Sequence, residues 1–91
     1  MDKTLDITLN PQEESVHANF IGPIVSTIGF QNTFGKESLN VAAQTVAKIQ
    51  VERVMSDEGA DYLQTASYKG ITYWVIQDGS RVVTCLFPEE D

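Results

Sequence analysis

Between Tyr68 and Phe87 the chain reads YKGITYWVIQDGSRVVTCLF, two runs of apolar, aromatic and β-branched residues on either side of Asp78-Gly79. Asp-Gly between such runs signals a β-hairpin, because these residues tolerate the positive φ angles that a tight two-residue turn demands. Lys69-Gly70 marks a similar turn one strand earlier. The segment therefore predicts an antiparallel meander of Asp61–Lys69, Ile71–Gln77 and Arg81–Phe87.

Opposed residues of an antiparallel pair share a face, so two-residue turns at 69–70 and at 78–79, or equally at Gly79-Ser80, sort the side chains into the same two sets. One set holds Leu63, Thr65, Ser67, Thr72, Trp74, Ile76, Val83, Cys85 and Phe87. The other holds Tyr62, Gln64, Ala66, Tyr68, Ile71, Tyr73, Val75, Val82, Thr84 and Leu86. Both are apolar, which raises the question of what covers each.

Upstream, Leu5, Ile7 and Leu9 alternate with polar residues and predict a strand that ends at Asn10-Pro11. Val16, Ala18 and Phe20 alternate likewise before Gly22-Pro23, and the two strands are expected to pair as an N-terminal hairpin with a long loop. Residues 24–36, with Gly29, Asn32 and Gly35, are expected to form a flexible loop; Ile24–Ile28 suits either a short strand or the floor of that loop. From Glu37 to Glu58 the pattern is helical, with Leu39, Ala43, Val46, Ile49 and Val54 in one stripe. Val41, Val51 and Met55 lie on a second face, and Gly59 forms the stop.

The expected fold is one α+β domain over residues 1–91, ordered β-β-α-β-β-β, with a mostly antiparallel sheet packed on one central helix and an acidic tail at 88–91. A chain of 91 residues buries only about 60–65% of its unfolded surface, so its core is small.

One helix covers one face of a sheet. The dense set with Trp74, Ile76, Val83 and Phe87 is the expected core. The tyrosine set then needs another cover, because leaving about 400 Å² of apolar surface bare forgoes about 10 kcal/mol. Either the N-terminal hairpin folds over it or a second molecule does. Tyrosine offers large rigid area with a polar tip, as interfaces prefer. Tyr62, Tyr68, Tyr73, Val75, Val82 and Leu86 are accordingly the expected partner-binding residues.

Thirteen acids against six bases give a net charge of −7, which disfavours direct binding of nucleic acid or anionic membranes. Acids cluster at Glu13-Glu14, around Asp57, and in the tail. Glu58, Asp61, Glu89 and Glu90 are expected to steer the chain onto a basic protein. Cys85 is the one cysteine, so no internal disulfide forms. No apolar run approaches the roughly 20 residues of a membrane span, and MDKTLDITLN lacks a signal-peptide core. A cytoplasmic location is expected.

Catalytic signals fail on inspection. GFQNTFGKES has five residues between its glycines and Glu37 after Lys36, where a phosphate loop needs four and then Ser or Thr. His17 is the one histidine, which leaves no protein zinc site, and Cys85 points into the expected core, where a thiol is inert. The carboxylates form no acid–base couple: Asp78 and Arg81 flank the turn, and Glu52 and Arg53 lie on the helix. Three tyrosines on a sheet resemble an RNA-stacking platform, but only Lys69, Arg81 and Lys36 could surround them with positive charge.

Neither enzymatic activity nor a cofactor is expected. The expected function is a non-enzymatic binding protein that occludes a basic, nucleic-acid-handling target, as an antitoxin, immunity protein or phage-encoded inhibitor would. The alternative is a homo-oligomer that holds a small ligand such as a nucleotide between subunits.

Overall fold

The computed structural model describes residues 4–77 and 81–90. It shows an α+β fold in which helices pack on one face of a five-stranded, mostly antiparallel sheet with strand order β1-β3-β4-β5-β2. The expected class and element order are both present.

The sheet is built around the meander. β3 (Leu63–Tyr68) pairs with β4 (Ile71–Ile76) so that Tyr68 faces Ile71. Lys69 and Gly70 fill the turn with φ of 54° and 77°, the two positive values a tight hairpin turn requires. β4 pairs with β5 (Val83–Leu86) in the register Trp74↔Leu86, Val75↔Cys85 and Ile76↔Thr84. A two-residue turn at 78–79 or 79–80 would set Val75 opposite Val82 or Thr84; the register sets it opposite Cys85 instead. The expected turn at 78–79 or 79–80, and Asp78 of the expected Asp78–Arg81 pair, lie outside the described residues.

An odd-numbered partner for Val75 in place of an even-numbered one reverses the parity of β5 against β4. Val83, Cys85 and Phe87 therefore lie with Tyr73 and Val75, while Leu86 lies with Trp74. This corrects the expected face sets. The helices cover the side of Tyr68, Tyr73 and Val75, and the Trp74 side is the one they leave.

β1 (Ile7–Leu9) forms one edge against β3, and β2 (Ile24–Ser26) forms the other edge, parallel to β5. The two N-terminal strands thus bracket the sheet rather than pair with each other. Residues 10–23 connect them as a strap across one end of the sheet, and the expected strand at 16–20 lies within this strap. Val16 and Ala18 both donate their amides to the Ala60 carbonyl (3.1 Å each). Phe20 donates its amide to Gln77 Oε1 (2.6 Å), and its carbonyl accepts from Gln50 Nε2 (2.9 Å). Gly59, at φ 77°, lets the strap lie close: a Cβ there would sit 2.3 Å from His17 Nδ1 and 2.8 Å from Ser15 Oγ.

Residues 24–36 are ordered as β2 and α1 (Ile28–Phe34), not as a loop. Thr27 caps the helix, its hydroxyl oxygen accepting from the Phe30 amide at 3.2 Å, and Gly35 ends it at φ 55°. Phe30 and Phe34, one turn apart, are both buried. α2 (Ser38–Ile49) follows and widens into a π-helical turn over Gln50–Val54, where the Met55 amide reaches the Gln50 carbonyl at 3.1 Å.

The buried stripe of α2 is Val41, Ala42, Thr45, Val46 and Ile49, whereas Leu39 and Ala43 of the expected stripe are exposed. Thr45 belongs to this stripe because its hydroxyl donates to the Val41 carbonyl (2.5 Å) and accepts from Tyr73 (2.6 Å). Phe30, Phe34, Tyr68, Tyr73 and Phe87 form one aromatic cluster in this core, with centroid separations of 4.9–6.1 Å.

Candidate functional site

The expected partner-binding residues divide between two places. Tyr73 and Val75 are wholly buried and Tyr68 nearly so, all beneath the helices, so none offers surface to a partner. Burial pushes the Tyr73 hydroxyl up to about 12. Tyr68 donates to Glu37 Oε2 (2.6 Å) and Lys69 Nζ donates to Glu37 Oε1 (2.9 Å). That hydrogen bond to the Glu37 carboxylate raises the Tyr68 pKa, and the same carboxylate raises that of Lys69. Leu86 is buried on the opposite side of the sheet, facing Trp74 in register, and Val82 precedes it, half-buried. Tyr62 alone of the tyrosines is well exposed, at 44%.

The expected steering acids divide too. Glu90 takes the Thr27 hydroxyl (2.6 Å) and the Phe87 amide (2.9 Å), and these bonds, with one from the Gly29 amide, hold its carboxyl below the usual range. It ties the C-terminal turn to the start of α1. Asp61 is buried, its Oδ2 accepting from the Glu14 amide at 3.2 Å. Glu58 and Glu89 are exposed.

The surface left free is the other face of the sheet. By strand alternation it carries Leu63, Thr65 and Ser67 of β3, Thr72, Trp74 and Ile76 of β4, Thr84 and Leu86 of β5, and Val25 of β2. No helix or strand among the described residues lies over it. Ser67 and Thr72 bond each other across the strands at 3.1 Å. The apolar side chains gather toward the strap, where Leu63 opposes Ile76 and Thr65 opposes Trp74. Val25 is 45% exposed; Leu63, Trp74 and Ile76 are half-buried.

At this corner the strap and the sheet enclose a pocket of ≈ 330 Å³. Pro11, Gln12 and Glu13 line it from the strap, Asp61, Tyr62, Leu63 and Thr65 from the start of β3, and Trp74 from β4. Gln12 fixes the strap in place. Its Nε2 donates to the Gly59 carbonyl (2.8 Å) and its Oε1 accepts from the Asp61 amide (3.0 Å). The pocket thus combines two aromatic rings with two carboxylates, a set suited to holding a cation.

A second exposed apolar feature runs along α2. Leu39, Ala43, Ala47, Val51 and Met55, spaced by four, are all solvent-facing, with Leu39 at 77% and Met55 at 78% exposure.

Nucleophiles and metal ligands take no part in either surface. Cys85 is wholly buried and desolvation pushes its thiol up to about 12. His17 is exposed on the strap. Among the described residues no three His, Cys, Asp or Glu side chains come together as metal ligands would, and no helix is long and apolar enough to cross a membrane.

Sequence patterning missed Trp74, Leu63, Thr65 and Glu13 as site residues, because it assigned Trp74 and its neighbours to the core. The available signal was the hydroxyl content of that set: Thr65, Ser67 and Thr72 mark a wet face better than tyrosine does. Comparison with family models, with curated proteins and with solved structures gives no match.

Proposed function

We propose that the protein is a non-enzymatic binding protein that occludes a basic site on another protein through its open sheet face, acting in the cytoplasm. The observation that carries this is the open face itself. Its apolar row, from Leu63 and Trp74 through Ile76 to Val25 at the β2 edge, has no helix or strand over it among the described residues, and its Leu63–Trp74 end adjoins Asp61 and Glu13 in a chain of net charge −7. Half-buried apolar side chains beside carboxylates fit a surface rich in Lys and Arg, with charge speeding association and the apolar contact slowing release. An antitoxin, an immunity protein or a phage-encoded inhibitor of a nucleic-acid enzyme has this profile.

The test compares two variants of equal charge change against a captured basic partner. Val25→Lys places a cation on the open face, and Thr33→Lys places one on the exposed side of α1. Val25→Lys is expected to weaken binding about tenfold or more by calorimetry, and Thr33→Lys far less. Equal effects from both would remove the sheet face from the interaction.

The exposed ridge on α2 supports one further use, self-association. Its alanines at the centre and larger side chains at the ends allow two antiparallel copies to interlock. Light scattering is expected to show a dimer that Ala47→Glu dissociates; a monomer in both cases removes it.

A further inference from the structure

We propose that the corner pocket is the subsite for one arginine side chain of the partner, an inference that rests on the open face being the docking surface. Its starting point is Asp61. This residue is only 7% exposed, yet among the described residues its carboxylate receives one backbone amide, from Glu14 at 3.2 Å, and no cation. The two ion pairs among those residues are Lys48–Glu52 and Lys69–Glu37. Arg53 is committed elsewhere, its guanidinium donating to Gln64 Oε1 (3.3 Å) and to the Asn10 carbonyl (3.2 Å).

A carboxylate withdrawn from water without a counter-charge is costly to hold, and a cation delivered by a partner offsets that cost. The residues that line the pocket suit a planar cation. Trp74 and Tyr62 line it with aromatic rings, groups on which a guanidinium stacks, Glu13 adds a second carboxylate on an exposed residue, and Leu63 offers apolar surface for the aliphatic stem. A volume of ≈ 330 Å³ lies at the small end of ligand pockets and suits a side chain better than a nucleotide.

Trp74 is the chain's one tryptophan, so its fluorescence reports this pocket directly. At constant ionic strength the intact chain is titrated with N-acetyl-arginine amide, its neutral citrulline counterpart, and N-acetyl-lysine amide. The arginine compound is expected to give a saturable change with half-saturation on the order of millimolar. Citrulline should give none, and lysine should bind several-fold more weakly. Asp61→Asn should weaken the response about tenfold or more. Thr65→Arg, which places a guanidinium in the pocket from within, should abolish the response and raise the melting temperature. This second variant also decides the matter should Asp61→Asn fail to fold.

Matching responses to arginine and citrulline, or to arginine and lysine, would overturn the assignment. So would full arginine binding in folded Asp61→Asn. The subsite and the docking face fail separately: a silent titration alongside partner loss in Val25→Lys removes only the subsite, whereas a positive titration with no effect of Val25→Lys removes the face.

Discussion

The two faces of the sheet share their strands and are opposite in fate. Each carries aromatic and branched residues from the same strands, with Tyr73 and Val75 on one side alternating with Trp74 and Ile76 on the other. On the helix side every tyrosine hydroxyl meets a partner, Tyr73 at Thr45 and Tyr68 at Glu37, and the rings close on Phe30, Phe34 and Phe87. On the open side Ser67 and Thr72 bond each other, and among the described residues Asp61 meets no cation. What separates a core from a surface here is whether polar tips have partners supplied by another element, not how aromatic the face is.

The sharpest way to break this contrast is a pair of truncations. Tyr73→Ala should cost about 3–5 kcal/mol in urea unfolding, since it empties a fully buried site. Trp74→Ala, one residue away, should cost about 1.5 kcal/mol or less while weakening partner binding by about 2 kcal/mol or more. Equal costs in stability would mean that the open face is as much a core as the other.

Gly59→Ala probes how far the strap belongs to both sides. Its new Cβ meets His17 and Ser15 at a backbone angle that alanine resists, so unfolding should become easier by about 1–3 kcal/mol. The Trp74 response to arginine should weaken with it, because the strap lines the pocket. A stable variant with an unchanged pocket would show that the strap can shift without consequence.

The smallest effect is expected at Glu90, which serves only the helix side. Its folded carboxyl lies below the ordinary value of 4.5, so its contribution is complete above that pH and is lost as pH falls through the depressed value. Glu90→Gln should therefore lower the melting temperature at pH 7, and the gap should close on acidification. A gap independent of pH would assign the residue's effect to packing instead of charge.

Fold class, element order and the first hairpin turn were legible because alternation, helical spacing and Lys69-Gly70 are local signals. α1 was legible only in retrospect, from Thr27 and Gly35 bracketing two phenylalanines four apart. The covered face was not, because it depends on the pairing parity of β4 and β5, and a two-residue turn read at Asp78-Gly79 or Gly79-Ser80 sets that parity the other way. Nor was the edge position of β2, since three residues paired in parallel to a distant strand leave no periodic trace. Asp61 looked like one more surface acid, and its burial follows from the strap folding over it.

The parallel edge has a consequence for how the chain is made. β2 has no strand to pair with until β5 exists, α1 packs on strands made after it, and the contacts that tie this end of the chain down span most of the sequence. Phe20 and Gln77 are 57 positions apart, and Thr27 and Glu90 are 63. As the chain leaves the ribosome, Phe30 and Phe34 therefore emerge long before their sites of burial are synthesised. Loop closure over such distances is slow, and the interval exposes an aromatic segment to aggregation or to chaperones. A stalled nascent chain ending before β5 should thus be open to proteolysis within residues 24–36, and protection there should arrive only with the last strand.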